Sequence, residues 1–218
     1  VRADGTNNGV WFKHGAMWVQ NEDTSALPDK VRRIPFSELL KQPGPPPRAP
    51  GESLKAIRIK SGFKVELVAS EPLVQDPIFV DWDAKGRMWV VEMGDYPFHE
   101  RDGQTHAGRV KILEDTDGDG ICDKATLFLD NLRYPTGLAP WKNGVFVASV
   151  PEVFFVEEHD DKPGRRTPIL GGFALGNPQH LVNGFCWGLD GWFYGGNGDS
   201  GGKVIEAKSG KEFDLSGR

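Results

Sequence analysis

The stretch VDWDAKGRMWVVE, residues 80–92, decides the fold. An apolar run, a polar corner closed by Gly86 and a second run opening on Met88 and Trp89 spell a β-hairpin. Alternation at period two suits strands, and a glycine admits the positive φ of a tight turn. The same plan returns in TGLAPWKNGVFVAS (136–149) and NGFCWGLDGWFYGGNG (183–198), with Gly144 and Gly191 at the corners. Behind each hairpin stands another strand pair: Arg109–Leu113 with Thr126–Leu129, Val153–Glu157 with Thr167–Leu170, and Lys203–Ala207 with the chain's end. Each repeat therefore predicts four strands. The corner glycines lie 58 and 47 residues apart, close to the roughly 40–50 residues of a propeller blade.

The expected fold is all-β, a partial β-propeller. It would hold about three four-stranded blades of a larger, six-bladed ring, since closed propellers use roughly four to eight. A β-sandwich with irregular hairpins is the competing architecture. The final hairpin stops at Arg218 with an open edge, which a complete ring would cover. Trp82, Trp89, Trp141, Trp187 and Trp192 recur within the hairpins and are read as packing between blades.

Composition agrees with many short strands. The 28 glycines and 16 prolines are spread among 13 phenylalanines and 7 tryptophans rather than pooled. With 218 residues, 38% hydrophobic, and a net charge of −5, the chain is long enough for a real core and excludes a disordered segment or a disulfide-stapled miniprotein. The acidic balance argues against nucleic acid as a partner, and no apolar run reaches the roughly 18 residues of a membrane span. Cys122 and Cys186 form no CxxC or CxxCH motif for zinc or haem. Cys186 sits in an apolar strand and is read as inert; a Cys122–Cys186 bridge stays open.

Lys41–Gly51 (KQPGPPPRAPG) carries five prolines and reads as a linker. It separates an N-terminal aromatic strand segment, 1–40, expected to be the end of an upstream domain, from the propeller portion, 52–218. Val1 in place of an initiator methionine points to a processed or excised piece. Within 1–40, Gly9–Gln20 predicts one or two strands and Phe36–Leu40 a helical turn. Beyond the linker, Ser53 is expected to cap a short helix through Ile57, and Phe63, Val65 and Leu67 to alternate along a strand.

The strongest chemical motif is Asp115-Thr116-Asp117-Gly118-Asp119-Gly120-Ile121-Cys122-Asp123. Carboxylates at positions 1, 3, 5 and 9, a bend-permitting glycine at 6 and the Ile121 carbonyl at 7 are what a hard cation such as calcium requires. Asp115, Asp117, Asp119, Ile121 and Asp123 are the expected ligands. Position 12 is Thr126 rather than a bidentate glutamate, and the loop joins strands, so a structural cation is expected rather than a sensor. A solvated acidic turn is the competing reading.

A second constellation, GNPQHLVNG (176–184), leads into the third hairpin, which is followed by GGNGDSGG (195–202). In a propeller the innermost strand of each blade borders the central channel, where ligands bind. His180, Asn183 and Asp199 are the candidate catalytic groups, against the plainer reading of a structural histidine and turn-capping polar residues. Asp95 and Tyr96 fall at the equivalent level of the first repeat, where a turn residue and a packing ring are the favoured reading.

The runs ELVASEPLVQDPIFVDWDAKGRMWVVEMGDYP (66–97), GRVKILEDTDGDGICDKATLFLDNL (108–132) and QHLVNGFCWGLDGWFYGGNGDSGG (179–202) resemble a bacterial membrane-bound dehydrogenase domain family. Its members are similar to the propeller of quinoprotein glucose and aldose sugar dehydrogenases, with helical repeats and a cytochrome c domain in longer chains. The resemblance implies that His180 takes the proton of a substrate hydroxyl while hydride passes to pyrroloquinoline quinone, and that Gly198-Asp199 matches a Gly-Asp ending the equivalent strand. The arginine that follows the histidine in those enzymes has no counterpart among Leu181, Val182, Asn183 and Gly184.

The reading drawn from the sequence is a calcium-stabilised propeller portion of a periplasmic or extracellular dehydrogenase. It would act on a sugar or alcohol, hold pyrroloquinoline quinone and pass electrons to a cytochrome c. Two alternatives stand beside it. One is a calcium-dependent propeller lactonase or other hydrolase, with Asn183, Asn197 and Asp199 as ligands of a channel metal. The other is a non-catalytic carbohydrate- or protein-binding propeller.

Overall fold

The computed structural model describes residues 48–94, 96 and 106–216, together with the backbone of strands 10–13, 16–19 and 32–35. Two compact units divide at Ala56 and Ile57.

In the first unit, β1 (Val10–Lys13), β2 (Ala16–Val19) and β3 (Arg32–Pro35) form an antiparallel sheet in that order, with Trp11 opposite Trp18. The first two strands fall inside the predicted Gly9–Gln20 stretch. The predicted turn at 36–40 lies outside the described residues, as do positions 41–47 of the linker. Helix α1 runs Pro50–Ala56 and starts three residues ahead of the predicted Ser53 cap. Proline suits the first helical position, where no N–H is needed, and the Ala49 carbonyl accepts the N–H groups of Glu52 and Ser53.

The second unit carries the repeats. β4 (Pro77–Trp82), β5 (Met88–Met93), β6 (Gly108–Glu114) and β7 (Lys124–Leu132) form one antiparallel meander. A second meander comprises β8 (Pro135–Trp141), β9 (Gly144–Ser149), β10 (Glu152–His159) and β11 (Lys162–Phe173). β12 (Asn183–Trp187) and β13 (Phe193–Gly196) make the third hairpin.

Here the third repeat departs from expectation. β14 (Gly202–Glu206) and β15 (Glu212–Asp214) do not extend that hairpin; β14 pairs with β11, giving a six-stranded sheet in the order β15-β14-β11-β10-β9-β8. The twelve-residue β11 offers an edge long enough to take them. The alternation at Phe63–Leu67 forms no strand either, and Phe63 is exposed. Among the described residues this stretch has no ladder partner; the segment is tied down just beyond it, where Cys122 N–H donates to the Val68 carbonyl.

Burial separates a propeller from a sandwich. In the second sheet, Val145, Val147, Phe154 and Val156 pack against Trp89, Val91, Val110, Ile112 and Phe128 of the first. Their neighbours Phe146, Ala148 and Val153 point the other way, toward Phe185 and Phe193 of the third hairpin. A sheet covered on both faces by its successive neighbours is a blade, whereas each sheet of a two-layer sandwich keeps one face in water. The innermost strands follow suit, with β8 lying between β4 and β12. The fold is thus all-β with propeller-like sheets, as predicted. The outer face of the first sheet, bearing Met88, Val90 and Leu113, is covered by Ala69, Val74 and Cys122. There Lys111 pairs with the buried Glu92 at 2.8 Å, and Glu92 also accepts from Gln75 N–H at 2.7 Å.

Two of the three corner glycines have the expected positive φ, Gly86 (79°) and Gly191 (80°). Gly144 does not. Lys142 takes the left-handed position in that turn (φ 51°). Gly144 is required for close approach instead, because a Cβ there would lie 2.2 Å from the Val156 carbonyl oxygen.

The tryptophans also divide. Trp89 is buried, edge-on to Phe128 at 4.8 Å. Trp141 and Trp187 stack at 4.2 Å between the second sheet and the third hairpin, yet both stay partly in solvent, while Trp82 and Trp192 are exposed. Period-two patterning cannot tell a strand's last residue, at the rim, from its buried middle. The cysteines are both free, Cys122 buried and Cys186 exposed rather than enclosed.

Candidate functional site

The polar segments on either side of the third hairpin meet before β12. Asn177 builds the first turn: its side-chain oxygen accepts from Gln179 N–H at 3.0 Å and its carbonyl from His180 N–H at 2.9 Å. The second segment lies directly on this turn, since Ser200 Oγ accepts from Asn177 N–H at 3.1 Å. Gly198 makes the crossing possible, because a Cβ at that position would sit 2.5 Å from the His180 carbonyl oxygen. Thr136 Oγ1 donates to the Val182 carbonyl and fixes the start of β12 against β8.

The crossing brings His180 Nδ1 to 2.6 Å from Asp199 Oδ1, with side chains 47% and 67% exposed. An ionised carboxylate only accepts, so Nδ1 carries the proton and the Nε2 lone pair is left to face solvent. Among the described residues Nε2 has no partner. Beside it, Gln179 Nε2 donates to the Tyr96 hydroxyl at 2.5 Å, which links the first repeat to the third. Asp95 lies outside the described residues. Gln179 escaped the sequence reading because its partner stands 83 positions away.

The amides behave differently. Asn183 donates to the Leu181 carbonyl at 2.8 Å and Asn197 is turned to the Gly201 carbonyl at 3.5 Å. Both are engaged by nearby backbone rather than gathered with Asp199.

The acidic loop between β6 and β7 folds around its own carboxylates. Asp115 accepts from Gly120 N–H (2.8 Å) and Gly118 N–H (2.7 Å), Asp117 from Asp119 N–H (3.2 Å) and Asp119 from Ile121 N–H (2.7 Å). One oxygen from each of Asp115, Asp117 and Asp119 lies within 4.8 Å of the others, an arrangement that can hold a metal ion. Asp123 is turned instead to Thr116, accepting from its hydroxyl at 2.6 Å and its N–H at 3.1 Å. The Gly120 and Gly118 N–H groups hold the Asp115 carboxyl below the usual carboxylate range, and the Thr116 hydroxyl and N–H do the same for Asp123.

One ionic cluster was not anticipated. Arg87, in the β4–β5 turn, binds Asp83 at 2.7 Å, Glu158 near the end of β10 at 3.2 Å, and Asp161 in the β10–β11 turn. Asp83 also accepts from Trp89 Nε1 at 3.0 Å. The signal was a pair of charge-rich corners, DAKGR and EEHDD, but their juxtaposition spans 71 positions.

Among the described residues no helix is long and apolar enough to cross a membrane. Residues 49–218 match the profile of a family described as a domain of unknown function (DUF7133). No curated protein matches the chain. Among solved structures, the chain is similar to one described as a gluconolactonase from Xanthomonas campestris, at 20% identity and a TM-score of 0.42, covering 71% of this chain and 52% of that one. The chain therefore spans about half the length of that structure.

Proposed function

We propose that this chain, which belongs to the family described as a domain of unknown function (DUF7133), is part of a propeller hydrolase acting on a lactone or related ester, with His180 as general base. The supporting observation is the 2.6 Å contact between His180 Nδ1 and Asp199 Oδ1. It fixes the tautomer whose Nε2 accepts a proton, and the exposure of both groups lets water and substrate reach it. A water molecule gives its proton to Nε2 as its oxygen attacks the carbonyl carbon; the ring C–O bond then breaks, and the imidazolium returns the proton to the departing alkoxide. Asp199 steadies the imidazolium in between.

The quinone-dependent reading fits the residues less well. Pyrroloquinoline quinone is a tricarboxylate and needs cations to hold it. Among the described residues, the hydrogen-bond partners of His180, Gln179, Asn183 and Asp199 are a carboxylate, an imidazole, a phenol, the Asn177 side-chain amide and backbone groups, with no lysine or arginine. A cytochrome c acceptor belongs to that reading alone. Sugars and alcohols assayed with pyrroloquinoline quinone and a redox dye, beside lactones assayed without quinone for acid release, separate the two. Acid release with no dye reduction is expected. Quinone-dependent dye reduction without lactone turnover would replace the hydrolase by the dehydrogenase; neither activity, together with retention on a polysaccharide, would leave a binding propeller.

The loop at Asp115, Asp117 and Asp119 is proposed to hold calcium, with the Ile121 carbonyl and, on release of its carboxylate from Thr116, Asp123 completing the set. Loops of modest affinity fill at the millimolar calcium outside the cytoplasm, which favours a periplasmic or extracellular setting. Chelation should lower the melting temperature of the wild type by about 5–10 °C, the linkage expected near a hundredfold excess over Kd. It should leave the Asp117→Ala, Asp119→Ala double variant unmoved. Equal shifts in both proteins would remove the calcium assignment.

A further inference from the structure

We propose that a cavity of about 620 Å³ between the third hairpin and the six-stranded sheet receives the lipophilic part of the substrate, so that the preferred substrate is an alkyl-substituted lactone or ester rather than a sugar lactone. The inference rests on the hydrolase reading for its chemistry and on the cavity for its substrate class.

The walls come from two elements: Phe146, Phe173 and, at the β15 edge, Phe213 belong to the six-stranded sheet, and Phe185 and Phe193 to the hairpin. Among the described residues no ionisable side chain lines it, and Asn197 supplies the one side-chain amide. A polyhydroxylated sugar ring would bury several hydroxyl groups there without partners, at a cost that an alkyl chain does not meet. The volume lies within the range of small-molecule pockets, and a mostly apolar wall with a small number of polar groups is their usual composition. The two chain segments that cross at the dyad both run on into the cavity wall. Val182, two residues after His180, and Asn197, two before Asp199, are both part of its wall.

N-phenyl-1-naphthylamine, whose emission rises in apolar surroundings, is the binding probe for the 218-residue chain. Saturable binding is expected, competed by δ-dodecalactone and not by glucono-δ-lactone. Gly196→Phe introduces a ring at the cavity wall where an added Cβ meets nothing closer than Asn183 O, 3.9 Å away. It should weaken the probe about tenfold. Ile169→Trp, on the sheet side, should do the same and guards against misfolding of the first variant. Across a lactone series kcat/KM should rise roughly fourfold per added methylene until the cavity is full.

Unsaturable probe binding, or binding unchanged in both variants, overturns the proposal. So does turnover of glucono-δ-lactone equal to that of its alkyl analogues. Probe binding lost in both variants, with no lactone hydrolysed, would sustain a lipophilic ligand but overturn its role as substrate and the hydrolase reading with it. Hydrolysis abolished by His180→Ala but indifferent to chain length would keep the dyad and overturn the cavity's role.

Discussion

Arg87→Ala is expected to lower the unfolding free energy by about 2–4 kcal/mol, toward the lower part of the cost of breaking a buried pair, because Lys85, 3.7 Å from Glu158, and Lys124, 3.5 Å from Asp161, remain as partly exposed cations at the edge of the cluster. The Arg87 side chain is 11% exposed, and Asp83 and Glu158 little more or less. Three carboxylates from two blades converge on this one guanidinium, so its loss removes the attraction and leaves their mutual repulsion at the joint between the first and second sheets. Burial pushes the Asp83 carboxyl up, but hydrogen bonds from Trp89 and Arg87 outweigh it and hold the group below its ordinary value. Burial and the Arg87 hydrogen bond act on Glu158 in the same opposed way, again with a net lowering.

The pH dependence follows from that sign. A depressed folded-state value means that the stabilisation is fully present above the unfolded carboxylate range, about 4, and fades as pH falls through the folded values. The gap between wild type and Arg87→Ala should therefore be wide at neutral pH and close on the acid side. Urea midpoints measured for both proteins at pH 7 and in acid check this. Coincident midpoints at pH 7 would show that the cluster does not brace the joint.

The hairpins were legible because both of their determinants are local: alternating apolar residues in Val80–Glu92 and its two counterparts, and a corner that only certain residues can turn. Their recurrence carried the propeller reading, because repeated units need neighbours to bury both faces. What the sequence hid was non-local. The ladder between β14 and β11 depends on which edge lies within reach, and nothing in Lys203–Ala207 encodes that. Phe63, Val65 and Leu67 alternate properly but, among the described residues, meet no partner strand. Gly144 looks like a turn residue and is in fact a contact residue.

The site divided along the same line. His180 and Asp199 stood out as polar groups flanking one hairpin, and the structure brings them into contact because the hairpin returns the chain to its own start. Asn183 stood out for the same reason, yet its amide serves the Leu181 carbonyl two residues back. Side-chain direction at a strand's first residue is not written in its spacing. The apolar cavity was equally hidden, because no spacing along the chain tells that packing leaves a space among Phe146, Phe173, Phe193 and Phe213.

His180→Ala is the substitution expected to cost most in turnover, about 10²–10⁴-fold, the usual contribution of a positioned general base. Asp199→Asn should cost less. An asparagine oxygen still accepts from Nδ1 and preserves the tautomer, but it carries no charge to steady the imidazolium, and at 67% exposure water supplies part of what the carboxylate gives. The order of the two losses separates a base acting on water from a histidine that merely holds the turn, for which both variants would lose stability and neither would show a graded rate. The deciding measurement is the initial rate of alkyl-lactone hydrolysis by wild type, His180→Ala and Asp199→Asn at equal calcium, with melting temperatures matched. A deep loss at 180 and a shallower one at 199 is the expected result; a His180→Ala protein as fast as wild type contradicts the dyad.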